Sequence, residues 1–116
     1  MKTLGTPELQ FKINRGEKLA LINTLSPEQF RITHIPGSEN IPLTEDFVEE
    51  VERHVGSKDT PVVVYSADSE CESSSRAAAR LEEAGFSEVY DYTGGAKAWQ
   101  AAGGVLASWT ASSFPD

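Results

Sequence analysis

The stretch from Pro61 to Ala79 constrains the fold most. It reads Pro-Val-Val-Val-Tyr, then a polar loop from Ser66 holding the chain's one cysteine, Cys71, then Glu72-Ser-Ser-Ser-Arg76-Ala-Ala-Ala. Three β-branched residues and a tyrosine in a row, Val62 to Tyr65, suit a strand buried on both faces, as in a parallel sheet. A parallel neighbour is reached only by a crossover, and the helix-forming alanines that follow supply one. In sheets of this kind ligands bind beyond the carboxyl ends of the strands, where the Cys71 loop begins.

The same alternation runs along the rest of the chain. Thr6-Pro7-Glu8 carries a cap, a first-turn proline and an early acid, predicting a helix to about Asn14 that stops at Gly16. The Leu-Ala-Leu-Ile run within 18–23 predicts a strand, and Ser26-Pro27-Glu28-Gln29 a short helical turn. His34 to Pro42 reads as a turn and a brief strand, with His34 fixing the turn through a hydrogen bond. Phe47, Val48, Val51 and Val55 form one apolar stripe of a helix opened by Thr44-Glu-Asp and ended by Gly56. A third helix spans about Ser74 to Ala84, its inner face lined by Ala77, Ala78 and Leu81 and its start capped by the serine run. Glu88 to Tyr92 is a further strand, and Gly94-Gly95 leads to a short helix in which Trp99 packs inward. We expect one domain over 1–116, with 105–116 as a tail whose Trp109 and Phe114 fold back onto the body.

Composition excludes several functions. Ten basic against eighteen acidic residues give a net charge of -8, unsuited to nucleic acid or an anionic membrane surface. No apolar run approaches the ~20 residues of a membrane span, and no signal-peptide stretch opens the chain. One cysteine forms no internal disulfide, and neither His34 nor His54 is spaced for a zinc site with it. The expectation is a cytoplasmic, reducing setting, with no metal and no organic cofactor.

Cys71 is the candidate nucleophile. A thiol attacks as the thiolate, and free N–H groups at a helix N-terminus favour that form. With a helix beginning near Ser74, the amides of Ser73 to Arg76 are expected around the sulfur. The hydroxyls of Ser73, Ser74 and Ser75 and the Arg76 cation add further contacts to a substrate. Asp68, Glu70 and Glu72 oppose them, since like charge disfavours a thiolate and repels an anionic donor. Ser66 is expected to cap the strand end or line the pocket.

Five segments, taken together and in order, resemble the rhodanese-like domain family. They are Leu21-Ile-Asn, His34-Ile-Pro-Gly-Ser-Glu-Asn-Ile-Pro-Leu43, Val62-Val-Val-Tyr, Ala77-Ala-Ala-Arg-Leu-Glu-Glu-Ala-Gly-Phe86 and Gly94-Gly-Ala-Lys-Ala-Trp99. The resemblance implies an α/β domain with a five-stranded, mostly parallel sheet and helices on both faces. It also implies sulfur transfer through a cysteine persulfide in the loop after the fourth strand. Cys71-Glu72-Ser73-Ser74-Ser75-Arg76 matches the family's six-residue substrate loop in length and in its final arginine. The chain departs from the family at Ser66, which stands where the usual nucleophile follows the strand, and the loop is about two residues longer. Asn23-Thr24 replaces an Asp-Val followed by arginine, removing a charged pair near the site.

The expected function is therefore a sulfurtransferase acting through Cys71. Its partners would be a small-molecule sulfur donor, of thiosulfate or mercaptopyruvate type, and a thiol or cyanide acceptor, or else a protein persulfide or thiol. The alternative is a catalytically silent binding module of the same fold. A phosphatase or arsenate reductase needs Cys-x5-Arg around an oxyanion, and the count here is Cys-x4-Arg.

Overall fold

The computed structural model describes residues 2–68 and 70–107. Along the chain these form β1 (Lys2–Leu4), α1 (Thr6–Asn14), β2 (Ala20–Asn23), α2 (Pro27–Ile32), β3 (Glu39–Asn40), α3 (Phe47–Val55), β4 (Val62–Tyr65), α4 (Ser73–Glu83), β5 (Val89–Tyr92) and α5 (Gly95–Ala101). The strands make one five-stranded sheet in the order β1-β5-β4-β2-β3, every pair parallel.

Strand β4 lies at the centre, and its alternating side chains divide the interior in two. Val62 and Val64 join Ile22, Phe47, Val51, Ala77, Ala78 and Leu81 under α3 and α4. Val63 and Tyr65 join Leu9, Leu21, Tyr92, Ala96 and Trp99 under α1 and α5. All four β4 residues are completely buried, and burying a side chain of that size contributes about 1.5–3 kcal/mol. The small Ala77 and Ala78 let α4 approach the sheet, as the stripe predicts.

The predicted elements are all present, with three differences in detail. The structure adds β1, three residues that pair with β5 across most of the chain length. The first helix is capped at Gly5, whose N–H donates to Glu8 Oε1, while the Thr6 hydroxyl bonds the Tyr92 hydroxyl. Helix α4 is capped at Glu72, one residue before the serines, and receives no side-chain cap bond. Its serines make tertiary contacts instead.

His34 does fix its turn. Its Nδ1 lies 2.7 Å from the Phe30 carbonyl, and the ring stacks on Phe30 at 3.9 Å. Trp99 is buried and donates to the Val105 carbonyl. Trp109 and Phe114 lie outside the described residues. No helix among the described residues is long and apolar enough to cross a membrane.

Candidate functional site

The carboxyl ends of β2 and β4 and the first turn of α4 meet around Cys71. After β4, Ser66 stays buried, and the chain turns through Asp68, whose carbonyl accepts the Cys71 N–H and whose carboxylate accepts the Glu70 N–H. That turn brings Cys71 back over the strand end instead of outward. Helix α5 fastens the strand end from the other side: the Ala96 and Lys97 amides donate to the Ser66 and Ala67 carbonyls at 3.0 and 2.9 Å. Gly95 makes this approach possible. Its φ is +66°, and a side chain there would collide with the Ser66 and Ala67 carbonyl groups.

Cys71 is half-buried and unpaired. Its Sγ lies 3.3 Å from Ser73 Oγ. Burial pushes the thiol pKa up, but four donors outweigh it and hold it below the ordinary value. These are the Ser73 hydroxyl, the Ser73 amide, the Ser66 hydroxyl and the Ala67 amide. The donors thus come from both ends of the loop, where the sequence placed them on the helix side alone. The Ser66 hydroxyl is buried and makes no hydrogen bond among the described residues, so its pull on the thiol is weaker than that of Ser73, which is in contact with the sulfur.

The remaining candidate residues divide by placement. Ser73 touches the sulfur. Ser74 is buried in the first turn of α4. Ser75 donates to Asp91 Oδ2 at 2.8 Å, pinning α4 to β5 and away from the sulfur. The Arg76 amide bonds the Glu72 carbonyl, and its guanidinium pairs with the Glu72 carboxylate at 3.5 Å. Both of those side chains are more than two-thirds exposed. Of the loop acids, Glu70 and Glu72 are exposed, and Glu72 pairs with Arg76. Thr24, at the end of β2, lies near the site as the Asn23-Thr24 pair implies, but its contact with the cysteine loop is not readable from the sequence. Its hydroxyl bonds Ser73 Oγ at 3.0 Å and donates to the Tyr65 carbonyl at 3.2 Å.

Two hollows flank the loop. One, of about 370 Å³, lies between α2 and α5 and is lined by Leu25, Ile32, Ala67, Asp68, Ala96 and Lys97, among others. The second, about 360 Å³, is bounded by Asp68, Glu70, Gly94, Lys97, Ala98 and Ala101. No group of three or more His, Cys, Asp or Glu side chains among the described residues is arranged to hold a metal ion.

A thiol cradled at the end of a central parallel strand accords with the comparison to known proteins. The family model described as "Rhodanese-like domain" matches residues 6–102. The chain belongs to the rhodanese-like domain family. It is 33% identical over 99 residues to the uncharacterized protein YqhL of Bacillus subtilis (strain 168), covering 85% of this chain and 72% of that one. Among solved structures it is similar to the Alr3790 protein from Anabaena sp., with a TM-score of 0.82, 27% identity, and coverage of 94% and 95% of the two chains. It also resembles a thiosulfate sulfurtransferase from Pseudomonas aeruginosa, with a TM-score of 0.83 and 28% identity. That match covers 95% of this chain and 20% of that larger one. The five-stranded parallel sheet implied by the five sequence segments is the fold observed.

Proposed function

We propose that this rhodanese-like domain is a sulfurtransferase whose nucleophile is Cys71. The observation that carries the reading is the place of the thiol: a partly exposed Cys71 at the carboxyl end of the central strand, with Ser73 Oγ of the first turn of α4 3.3 Å from its sulfur and its pKa held below the ordinary value. An ionised sulfur is the attacking form. With thiosulfate, the Cys71 thiolate attacks the outer sulfur, a sulfur–sulfur bond forms, and the bond to the sulfonate breaks with its electron pair leaving on sulfite. An acceptor thiolate or cyanide then attacks the persulfide's terminal sulfur, and Cys71 departs as the thiolate. The same donors that hold the thiolate hold the persulfide anion between the two steps.

The substrate loop in this proposal is Cys71 to Arg76. Ser73 acts directly on the sulfur; Glu72 and Arg76 stand exposed at the rim, Ser74 and Ser75 hold the first turn of α4 in place, and Ser66 lines the floor. The charge of -8 and the acids Asp68, Glu70 and Glu72 slow the approach of a dianionic donor. A neutral donor, or a persulfide carried by another protein, suits this surface better than thiosulfate, with a small thiol or a protein thiol as acceptor. A reduced, cytoplasmic setting keeps the thiol available.

The second reading is a silent binding module, favoured by Ser66 standing where the family's usual nucleophile follows the strand. Incubation with thiosulfate or 3-mercaptopyruvate followed by intact-mass measurement separates the two. The enzyme gains one sulfur atom, and Cys71→Ser gains none. No gain with either donor supports the module.

A further inference from the structure

We infer that Thr24 is a positioning residue for Cys71, acting through Ser73 as a pair of hydroxyls that reverse direction when the thiol ionises. The inference rests on the reading of Cys71 as a nucleophile and adds to it a residue from a different strand. Thr24 is 4% exposed, and its hydroxyl lies between two partners, Ser73 Oγ at 3.0 Å and the Tyr65 carbonyl at 3.2 Å. Ser73 Oγ in turn lies 3.3 Å from the sulfur. Among the described residues the buried Ser66 hydroxyl at the end of β4 makes no hydrogen bond, which leaves Ser73 as the hydroxyl in contact with the sulfur and Thr24 behind it.

The hydrogens along this chain have two consistent arrangements. With a neutral thiol, S–H donates to Ser73, Ser73 donates to Thr24, and Thr24 donates to the Tyr65 carbonyl. When the thiol proton leaves to water, the sulfur only accepts, and the Ser73 hydroxyl must turn toward it. Thr24 is then free to donate to Ser73. Leaving Tyr65 costs no buried orphan, because the Thr24 N–H already donates to that carbonyl at 3.0 Å. Two aligned hydroxyls polarise one another and strengthen the bond to the anion.

The charged groups around the sulfur are Asp68, Glu70 and Glu72 on its loop, Arg76 on α4, Asp91 on β5 behind Ser75, and Lys97 on α5; β2 brings none. All are retained in the test variants. The rate of iodoacetamide alkylation is measured against pH, with no sulfur donor present, so the result is independent of whether a persulfide forms. Thr24→Val is expected to raise the midpoint by about 0.3 to 0.5 pH unit, a two- to threefold slower reaction at neutral pH. Thr24→Ser, which keeps the hydroxyl, restores the wild-type midpoint. In a Ser73→Ala background Thr24→Val adds nothing further. A wild-type midpoint in Thr24→Val, or an undiminished effect in the Ser73→Ala background, overturns the inference. Should Thr24→Val not fold, Thr24→Ala carries the same expectations.

Discussion

Replacing Gly95 by alanine tests how the site is held against the strand end. Two costs arise from the structure. The first is a left-handed backbone at φ +66°, which an L side chain occupies at a cost of about 1–2 kcal/mol. The second is steric: the new Cβ would lie 2.8 Å from the Ala67 carbonyl carbon and 2.9 Å from its oxygen. These are backbone atoms and cannot rotate aside. Relief requires α5 to withdraw, and the Ala96–Ser66 and Lys97–Ala67 hydrogen bonds lengthen or break, at about 1 kcal/mol each. The expected loss is about 3 kcal/mol, or roughly 10 °C in Tm for a domain of this size. Gly16→Ala is the matched control, since its φ is +71° but a Cβ there meets nothing within 4 Å. The entropy that alanine removes from the unfolded chain is common to both variants and cancels in the comparison. Urea denaturation followed by tryptophan fluorescence measures the difference. If Gly95→Ala and Gly16→Ala agree within about 0.5 kcal/mol, the close packing of α5 on the Ser66–Ala67 backbone is wrong.

Three further outcomes are expected. Ser75→Ala leaves the buried Asp91 carboxylate, whose Oδ1 has no partner among the described residues, without the Ser75 hydroxyl; urea denaturation should show a loss of about 1–3 kcal/mol, partly recovered in Ser75→Ala/Asp91→Leu. Because the folded pKa of Cys71 lies below its unfolded value, its thiolate stabilises the fold above the unfolded pKa, and that contribution is lost as pH falls through the folded one. Wild-type protein should therefore gain stability relative to Cys71→Ser as pH rises from neutral toward about 9, and parallel stability curves would count against the cradle. Glutamine at both Glu70 and Glu72 should change the alkylation rate less than about twofold, since exposed carboxylates are screened; a larger acceleration would place their charge at the sulfur.

The sequence made much of this architecture readable. The β-branched run of β4, the alanine stripe of α4 and the cap-proline-acid signature of α2 are local patterns, and local physics decides them. Strand β1 was not readable, because three residues carry little periodicity and Lys2 pairs with Tyr90, far along the chain. The serine run shows the same limit at the site. Serines before a helix read as caps, yet Ser73 turns to Cys71 and to Thr24, 49 residues away, and Ser75 to Asp91. Those partners are set by how β2 and β5 flank β4, which no spacing along the chain reveals. Cys71 stood out because it is the chain's one thiol at a strand-to-helix loop. Ser66 is legible as a pocket-lining residue, but its nearness and that of Ala67 to the thiol follow from the turn at Asp68, which no spacing reveals.

The account is tested most directly by titrating the Cys71 thiolate through its ultraviolet absorbance, in the folded protein and in the same chain unfolded in urea, with Cys71→Ser as the blank. It predicts a folded midpoint below the unfolded one, displaced upward when Ser73 and Ser66 are both replaced by alanine. A folded midpoint at or above the unfolded value would mean that burial prevails over the converging donors, and that Cys71 is not poised to carry sulfur.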